Sequence, residues 1–240
     1  MKLKSSKRSN PGFFISFEGG EGGGKSTQIR HLVKYFTDHN IPVVLTLEPG
    51  GTKIGSKIRK ILLDPKNTEI SHRAELLLYL ADRAQHVEEC ILPALKAGKV
   101  VISDRYADSS NVYQGICRKL GLEWTMALND YATDGLYPNI AIILDIPEKI
   151  GLARVQQRIL TQKFNHKSSN AQLDRMENEK IAFHKKVRQG FLLLSKKYPE
   201  RIQVINAALS EEEVKAAIQK LIHNRIQKMK GHSLWKKLEQ

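Results

Sequence analysis

A glycine-rich octapeptide between two apolar runs constrains the fold of this chain more than any other feature. Residues 19–26 read Gly-Gly-Glu-Gly-Gly-Gly-Lys-Ser, which matches the pattern GxxxxGK[ST]. The run at 13–18 before it is apolar enough for a buried strand, and the apolar residues of 26–38 recur with a helical period. Glycines let backbone N–H groups curl around a phosphate, and a helix N-terminus adds partial positive charge. The pattern therefore predicts a phosphate-binding loop between a strand and a helix.

Each polar residue of this loop has an expected role in holding a nucleoside triphosphate. Lys25 would reach the β and γ oxygens, and the Ser26 hydroxyl would ligate Mg²⁺. The alternative is a flexible turn without a ligand, which the strand and helix on either side disfavour. The cofactors predicted are ATP and Mg²⁺, and the residues expected to hold them are Gly19, Gly20, Glu21, Gly22, Gly23, Gly24, Lys25, Ser26 and Thr27.

The rest of the chain alternates short apolar runs with longer amphipathic ones. This alternation predicts an α/β fold, with a five-stranded parallel sheet flanked by helices on both faces. The predicted strands are 13–18, 42–47, 100–103, 140–145 and 202–205. The predicted helices are 26–38, 54–63, 74–96, 124–131, 148–160, 173–197 and 210–222. Residues 161–172 are polar without an apolar period, so we expect a mobile lid over about 155–175.

The net charge of +14 on 240 residues raises the question of a nucleic-acid partner. Residues 1–12 and residues 223–240 each carry a net charge of +4, so most of the excess lies in the two ends. We interpret them as basic tails of one domain, 13–222, with no specific nucleic-acid partner, although they could attract nucleic acid or acidic lipid weakly.

Hydropathy and cysteine usage give a location. No run approaches the 18 or so apolar residues that cross a bilayer, so we expect no membrane association. Cys90 and Cys117 lack metal or redox-motif spacing. A cytoplasmic location is therefore predicted.

The loop alone does not identify the phosphoryl acceptor, because GTPases, motor ATPases and small-molecule kinases all use it. The chain lacks the Asn-Lys-x-Asp sequence with which a GTPase reads guanine. Its short length and the basic insertion near residue 163 favour a small-molecule kinase.

Four further sequence features narrow the acceptor. The chain reads Phe-Glu-Gly-Gly-Glu at 17–21, Glu-Pro-Gly-Gly-Thr at 48–52, Ala-Asp-Arg-Ala-Gln-His at 81–86 and Asp-Arg-Tyr at 104–106, the last followed by Tyr-Gln-Gly at 113–115. Together with Leu-Asp-Arg-Met-Glu at 173–177, they resemble the thymidylate kinase family over about residues 13–222. The resemblance implies transfer of the γ-phosphoryl of ATP to dTMP, giving dTDP for dTTP synthesis.

The resemblance also implies a dTMP site. Arg105 and Arg59 would clamp its phosphate, since a guanidinium fork suits a phosphate dianion. Tyr79 would stack on the thymine ring, and Arg83 would donate to O4. Ser110 and Gln114 would bond the edge of the base, Tyr113 would crowd the 2′ position of the sugar, and Glu21 would reach the 3′-hydroxyl. The segment Glu48-Pro49 is also expected to contact the substrate.

The metal and catalytic residues complete this expectation. Asp104 ends a predicted strand and could hold Mg²⁺ through water, although a helix N-cap is the alternative. Some family members have an arginine directly after the loop acid, where this chain has Gly22. The lid would then supply the positive charge, from Arg154, Arg158 and Arg175 with Lys163 and Lys167. The catalytic residues predicted are Lys25, Arg105, Arg175 and, after it, Arg158.

Two alternatives stay open at this point. One is a kinase of the same fold for another acceptor such as dUMP, dCMP or a deoxynucleoside, because one methyl group discriminates by only about 1–3 kcal/mol. The other is a basic nucleic-acid-binding ATPase. The resemblance also implies a homodimer, with the helices at 26–38 and 74–96 as candidate surfaces.

Overall fold

A single parallel sheet organises the chain. The computed structural model describes residues 12–164, 172–228 and 238. The sheet has five strands in the order β2-β3-β1-β4-β5, and each neighbouring pair is parallel. The strands are β1 Phe13–Glu18, β2 Val43–Leu47, β3 Val100–Asp104, β4 Ile140–Asp145 and β5 Ile202–Asn206. The predicted fold class is confirmed.

Helices connect the strands and cover both faces of the sheet. They are α1 Lys25–Asp38, α2 Lys53–Leu63, α3 His72–His86, α4 Leu92–Lys96, α5 Ala107–Ser110, α6 Leu122–Thr133, α7 Glu148–Phe164, α8 Ile181–Lys197 and α9 Glu211–Lys228. Two π-helical segments, Val87–Ile91 and Asn111–Cys117, follow α3 and α5. The helix predicted over 74–96 is thus continuous but changes its winding ahead of Pro93.

The strands are apolar on both sides because each face meets a helical layer. Phe13, Ile15 and Phe17 of β1 lie in one core cluster, which includes residues of α1 and α9. Phe14, between them, packs in a second cluster with residues of α4 and the first π-helical segment. A continuous apolar run is typical of a parallel strand covered on both faces.

Three predicted helix boundaries differ from the structure by more than two residues. Residues 173–180 are turns rather than helix, because the Asp174 carboxylate accepts from the backbone N–H groups of Met176 and Glu177 at 2.8 Å each. The C-terminal helix continues to Lys228, where Ile226 extends the buried stripe. The first residues of the expected lid loop continue α7 to Phe164.

Part of the predicted lid and of the tails lies outside the described residues, including Lys167. Within the described ranges, no helix combines the length and apolar character needed to cross a membrane.

Candidate active site

A cavity of about 760 Å³ opens where β1, β2 and β3 end. In an open parallel sheet the carboxyl ends of the strands form the ligand-binding edge. The cavity brings together almost all of the sequence-predicted site residues. They are Glu21, Gly22, Gly23, Gly24, Lys25, Ser26, Thr27, Glu48, Pro49, Arg59, Tyr79, Arg83, Asp104, Arg105, Ser110, Tyr113, Gln114 and Arg158. Gly19, Gly20 and Arg175 are not among the lining residues.

The glycine-rich loop links β1 to α1 through backbone that L side chains rarely adopt. Gly22 has a φ of +68° and Gly24 a φ of +81°. A Cβ on Gly22 would lie 2.0 Å from the carbonyl oxygen of Gly151. The Lys25 ammonium donates to the carbonyl oxygens of Gly19 and Gly20, at 3.3 and 2.9 Å. The loop therefore has the compact form that exposes backbone N–H groups to a phosphate.

Arg105 bonds to this loop and also lines the cavity. It follows β3 with a φ of +71°, a conformation that is costly for a residue with a side chain and that clusters at functional sites. Its guanidinium donates to Glu21 Oε1 at 2.5 Å and to the carbonyl oxygen of Gly19 at 3.0 Å. Tyr113 donates to the same Glu21 oxygen at 2.9 Å.

The charges in this group stabilise one another. Burial would raise the pKa of Glu21, but Arg105 and Lys25 beside it lower that pKa to about 2. Burial also works against the charge of Arg105, yet Glu21 holds the pKa of the guanidinium well above its usual range. Glu21 is therefore an ionised acceptor, and Arg105 a fixed cation.

Glu18, at the end of β1, supports Arg105 from behind. Its carboxylic group is fully buried and accepts from the Ser109 hydroxyl at 2.6 Å, and Arg105 donates to the same hydroxyl oxygen at 3.3 Å. Burial and the neighbouring Asp108 raise the pKa of Glu18 to about 8. Glu18 is thus mostly neutral at pH 7, next to a strongly charged group.

Arg83 is the centre of a buried polar network at the other end of the cavity. Its guanidinium pairs with Glu48 Oε2 at 2.8 Å through Nε and through Nη2. Nη1 donates to Ser110 at 3.0 Å and to Asn129 Oδ1 at 2.6 Å. The second Glu48 oxygen lies 2.8 Å from Nδ1 of His86. Although it lines the cavity, Arg83 is only 1% exposed, so its position is set by the protein.

Gln114 and Tyr79 lie near this network. Gln114 is buried, and its Nε2 donates to Glu75 Oε1 at 2.8 Å. Burial raises the pKa of the Tyr79 hydroxyl, so this side chain is a neutral aromatic surface. On the opposite wall, Arg59 donates to the carbonyl oxygen of Pro49 at 2.6 Å.

The three arginines in and beside the predicted lid occupy different environments. Arg154 and Arg158, both on α7, line the cavity and contact the Ala207 carbonyl oxygen at 3.2 Å and Glu177 at 2.7 Å. The Arg158 side chain is about half exposed. Arg175 instead pairs with buried Glu75 at 2.6 Å and donates from Nε to the Leu62 carbonyl oxygen at 2.7 Å. In this structure Arg175 is thus tied to α2 and α3.

Comparisons with known proteins agree with this geometry. The family model described as Thymidylate kinase matches residues 17–218. The chain is 48% identical to a thymidylate kinase of Desulfosudis oleivorans, over 84% of this chain and 92% of that protein. It is 43% identical to one of Geobacillus sp., over 85% of this chain and 92% of that protein. A crystal structure of thymidylate kinase from Ehrlichia chaffeensis superposes with a TM-score of 0.68 at 31% identity, covering 88% of this chain and 98% of that one.

The chain belongs to the thymidylate kinase family. The family predicted from sequence motifs is confirmed, and so is the predicted activity, ATP-dependent phosphorylation of dTMP to dTDP. The comparisons give no support to another acceptor or to a nucleic-acid-binding ATPase.

The arginines at 158 and 175 lie differently from the sequence-based expectation. Arg175, ranked first as the catalytic arginine, faces Glu75 rather than the cavity, whereas Arg158 lines it. The backbone at Gly22 also shows why no side chain stands after the loop acid, since Gly151 fills that space.

Sequence reasoning missed the residues that hold the ligand-facing groups. Asn129 and His86 are buried partners of Arg83 and Glu48, and Glu75 is the buried partner of Gln114. His86 lies inside a recognised motif, which was a usable signal. Asn129 and Glu75 lie in ordinary helical sequence, where no local pattern distinguishes them.

Proposed function

We propose that this chain binds ATP with Mg²⁺ on the glycine-rich loop and dTMP between Arg83 and Arg105, and transfers the γ-phosphoryl directly between them. The observation that carries this arrangement is the Arg105–Glu21 pair. It joins the loop to the acceptor side, with 2.5 Å between guanidinium and carboxylate. A donor phosphate on Lys25 and an acceptor phosphate on Arg105 would thus meet in one cavity.

The donor side holds the triphosphate through the loop and the first turn of α1. The Lys25 ammonium, now on loop carbonyls, is free to exchange them for phosphate oxygens. The donor set of one Ser26 hydroxyl and the Asp104 carboxylate suits Mg²⁺, which keeps several waters and completes its shell with substrate phosphates. When bound, Mg²⁺ neutralises phosphate charge and aligns the γ-phosphoryl.

The acceptor side holds dTMP at both ends. Arg105 and Arg59 would take its phosphate, and Tyr79 would stack on its base. Arg83, Ser110 and Gln114 would bond the base edge, while Tyr113 and Glu21 would face the sugar and Glu48-Pro49 would form the wall behind it. Arg83 is already held by Glu48, and Arg105 by the Gly19 carbonyl oxygen and Glu21, so binding costs little ordering.

Transfer needs no covalent intermediate with the protein. The dTMP phosphate oxygen attacks the γ-phosphorus in line, and the bond from that phosphorus to the β-bridging oxygen breaks. Lys25 and Arg105 hold the two reactants, and Arg158, with Arg154 near it, supplies charge as the lid closes and excludes water. Arg175 would act indirectly, by holding the C-terminal end of the lid on α2 and α3. That Lys163 adds positive charge stays a prediction.

The test is ADP release coupled to a dehydrogenase, with ATP–Mg²⁺ and each of dTMP, dUMP, dCMP, dGMP, UMP and thymidine. We expect by far the highest kcat/KM for dTMP. If dTMP were inert while another acceptor reacted, the proposed base contacts would be wrong although the loop assignment would stand.

We also propose that the chain forms a homodimer. Of the two helices predicted to form its surface, we keep the one at 74–96 and reject the one at 26–38. Helix α1 packs against α9 and the sheet, and its exposed side chains are polar. Helices α2, α3 and α6 pack side by side, and each carries large exposed apolar residues. These are Ile54, Ile61, Leu77, Trp124 and Tyr131, at 46–86% exposure. Leu77→Lys should convert the dimer to a monomer in light scattering, and an unchanged mass would reject this surface.

The remaining predictions concern location and the ends of the chain. Cys90 and Cys117 are free thiols, which is compatible with the cytoplasmic location that we propose. The absence of a specific nucleic-acid partner stays a prediction.

A further inference from the structure

Glu75 joins the base side of the cavity to the end of the lid, although it does not itself line the cavity. Its side chain is 0% exposed. Oε1 accepts from Gln114 Nε2 at 2.8 Å and lies 3.3 Å from Arg118 Nε. Oε2 lies 2.6 Å from Arg175 Nη1. One buried carboxylate thus has three partners on two segments, Gln114 and Arg118 in and directly after the second π-helical segment and Arg175 at the end of the predicted lid.

The charge state of Glu75 determines which way the amide of Gln114 faces. Burial would raise the pKa of Glu75, but the Gln114 hydrogen bond and the charges of Arg118 and Arg175 hold it below its ordinary value. An ionised carboxylate only accepts hydrogen bonds, whereas an amide has one donating and one accepting end. The donating Nε2 is therefore committed to Glu75, and Oε1 of Gln114 is left for the cavity that Gln114 lines.

Whereas Gln114 offers the cavity a hydrogen-bond acceptor, Arg83 offers it a donor. A guanidinium has five N–H groups. Nε donates to Glu48, the two N–H groups on Nη1 donate to Ser110 and Asn129, and Nη2 lies 2.8 Å from the same Glu48 oxygen. These contacts leave one N–H, on Nη2, for a ligand. The cavity thus offers an acceptor on Gln114 and a donor on Arg83.

This pair matches one class of pyrimidine. A 4-oxo pyrimidine has a donating N3–H beside an accepting O4, whereas a 4-amino pyrimidine has an accepting N3 beside a donating amino group. We propose that Glu75 is a positioning residue, which fixes the Gln114 carbonyl oxygen toward the base and so selects 4-oxo over 4-amino pyrimidine nucleotides. The inference rests on the proposed base contact of Gln114.

The same carboxylate explains the position of Arg175. The backbone N–H of Arg175 donates to the Leu63 carbonyl oxygen at 3.1 Å, and Leu63 lines the cavity. Glu75 therefore anchors the C-terminal end of the lid on α2 and α3 while it orients Gln114. A change at Glu75 must be separated from a general loss of this anchor.

The experiment measures kcat and KM of Glu75→Gln with dTMP and with dCMP, at saturating ATP–Mg²⁺. The new amide can accept from or donate to Gln114, so the Gln114 orientation is no longer fixed. We expect the ratio of kcat/KM for dTMP over dCMP to fall at least tenfold. The loss should lie in a higher KM for dTMP, with kcat for dTMP within threefold and KM for ATP within twofold.

Glu179→Gln is the matched control. Glu179 pairs with Arg118 at 2.5 Å, so this variant removes one carboxylate from the same arginine without touching Gln114. Its preference for dTMP over dCMP should stay within twofold of the unmodified chain. An unchanged preference in Glu75→Gln, or an equal fall in Glu179→Gln, would overturn the inference.

A double-variant cycle separates this inference from the proposed function. If Glu75 acts through Gln114, Glu75→Gln should add no further loss of preference to Gln114→Leu, and additive losses would overturn it. A fully retained preference in Gln114→Leu would refute the base contact and the inference together. A fall in Gln114→Leu without one in Glu75→Gln would refute the inference alone.

Folding is checked by cooperative thermal melting. If Glu75→Gln does not melt cooperatively, Glu75→Asp replaces it, because this variant keeps the charge for both arginines but withdraws from Gln114. The same fall in preference is then expected, and an unchanged preference would overturn the inference.

Discussion

The acceptor side and the lid side of the cavity differ in how completely their arginines are bonded. Arg83, on the acceptor side, is buried with Glu48, Ser110 and Asn129 around it. Arg158, on the lid side, is about half exposed and contacts Glu177. A buried and bonded arginine is positioned before a ligand arrives, whereas an exposed one can move as a lid closes. This difference supports our proposal that the fixed side recognises the substrate and that the lid side supplies transition-state charge.

The largest expected effect comes from Arg158→Ala. Removing a positive charge that stabilises a phosphoryl-transfer transition state lowers kcat on the order of 10³-fold. Because Arg158 bonds to Glu177 and to none of the partners of Arg83, the KM for dTMP should stay within threefold. Steady-state kinetics with saturating ATP–Mg²⁺ measure both quantities.

Arg175→Ala is the variant to compare with Arg158→Ala, because the sequence alone ranks Arg175 above Arg158 as the catalytic arginine. Since Arg175 pairs with Glu75, its loss should raise the KM for dTMP and lower the melting temperature, with kcat within tenfold. A greater loss of kcat in Arg175→Ala than in Arg158→Ala would restore the sequence-based ranking. It would also remove the functional contrast between the two sides.

The sequence predicts the fold and most of the residues that line the cavity because both depend on local patterns. The alternation of strands and helices gives the parallel sheet, and the glycine-rich loop gives the position of Lys25. The residues that hold the cavity-lining side chains from behind depend on contacts between distant segments. Asn129 reaches Arg83 across 46 residues, and Arg175 reaches Leu62 across 113. Such pairs have no period or spacing in the chain, so the ranking of the lid arginines could not be settled from sequence.

A smaller effect is expected on the fixed side from Arg83→Lys. An ammonium cannot replace the fork that serves Glu48, Ser110 and Asn129, so buried acceptors lose their donors at about 1–3 kcal/mol each. We expect kcat/KM for dTMP to fall about 100-fold, equivalent to about 2.7 kcal/mol, mostly through KM. Kinetic titration of dTMP at fixed ATP–Mg²⁺ checks this result.

Arg73→Lys is the control for Arg83→Lys, since Arg73 is an exposed arginine on the same helix. It should leave both kinetic constants within twofold. If Arg83→Lys lowered kcat while keeping the KM for dTMP, Arg83 would act in the transition state and the fixed side would not be purely a recognition surface.

The last expected effect is on stability rather than on catalysis, and it concerns Glu18, which supports Arg105 by way of Ser109. Its pKa is about 8 in the folded protein, against an ordinary value of 4.5 in the unfolded chain. Between these values the folded state holds a proton that the unfolded state has lost. The free energy of unfolding contributed by Glu18 therefore falls as pH rises from about 4.5 to 8, by at most about 1.4 kcal/mol per pH unit.

Glu18→Gln keeps an acceptor for Ser109 but cannot ionise, so its stability relative to the unmodified chain should grow steadily from pH 5 to pH 8. Denaturant unfolding at four pH values measures this difference, with the exposed carboxyl variant Glu69→Gln as control for the loss of one acidic group. Parallel curves for Glu18→Gln and the unmodified chain would mean that Glu18 is already ionised beside Arg105. The fixed side would then hold its arginine by a second ion pair rather than by a neutral hydrogen-bond chain.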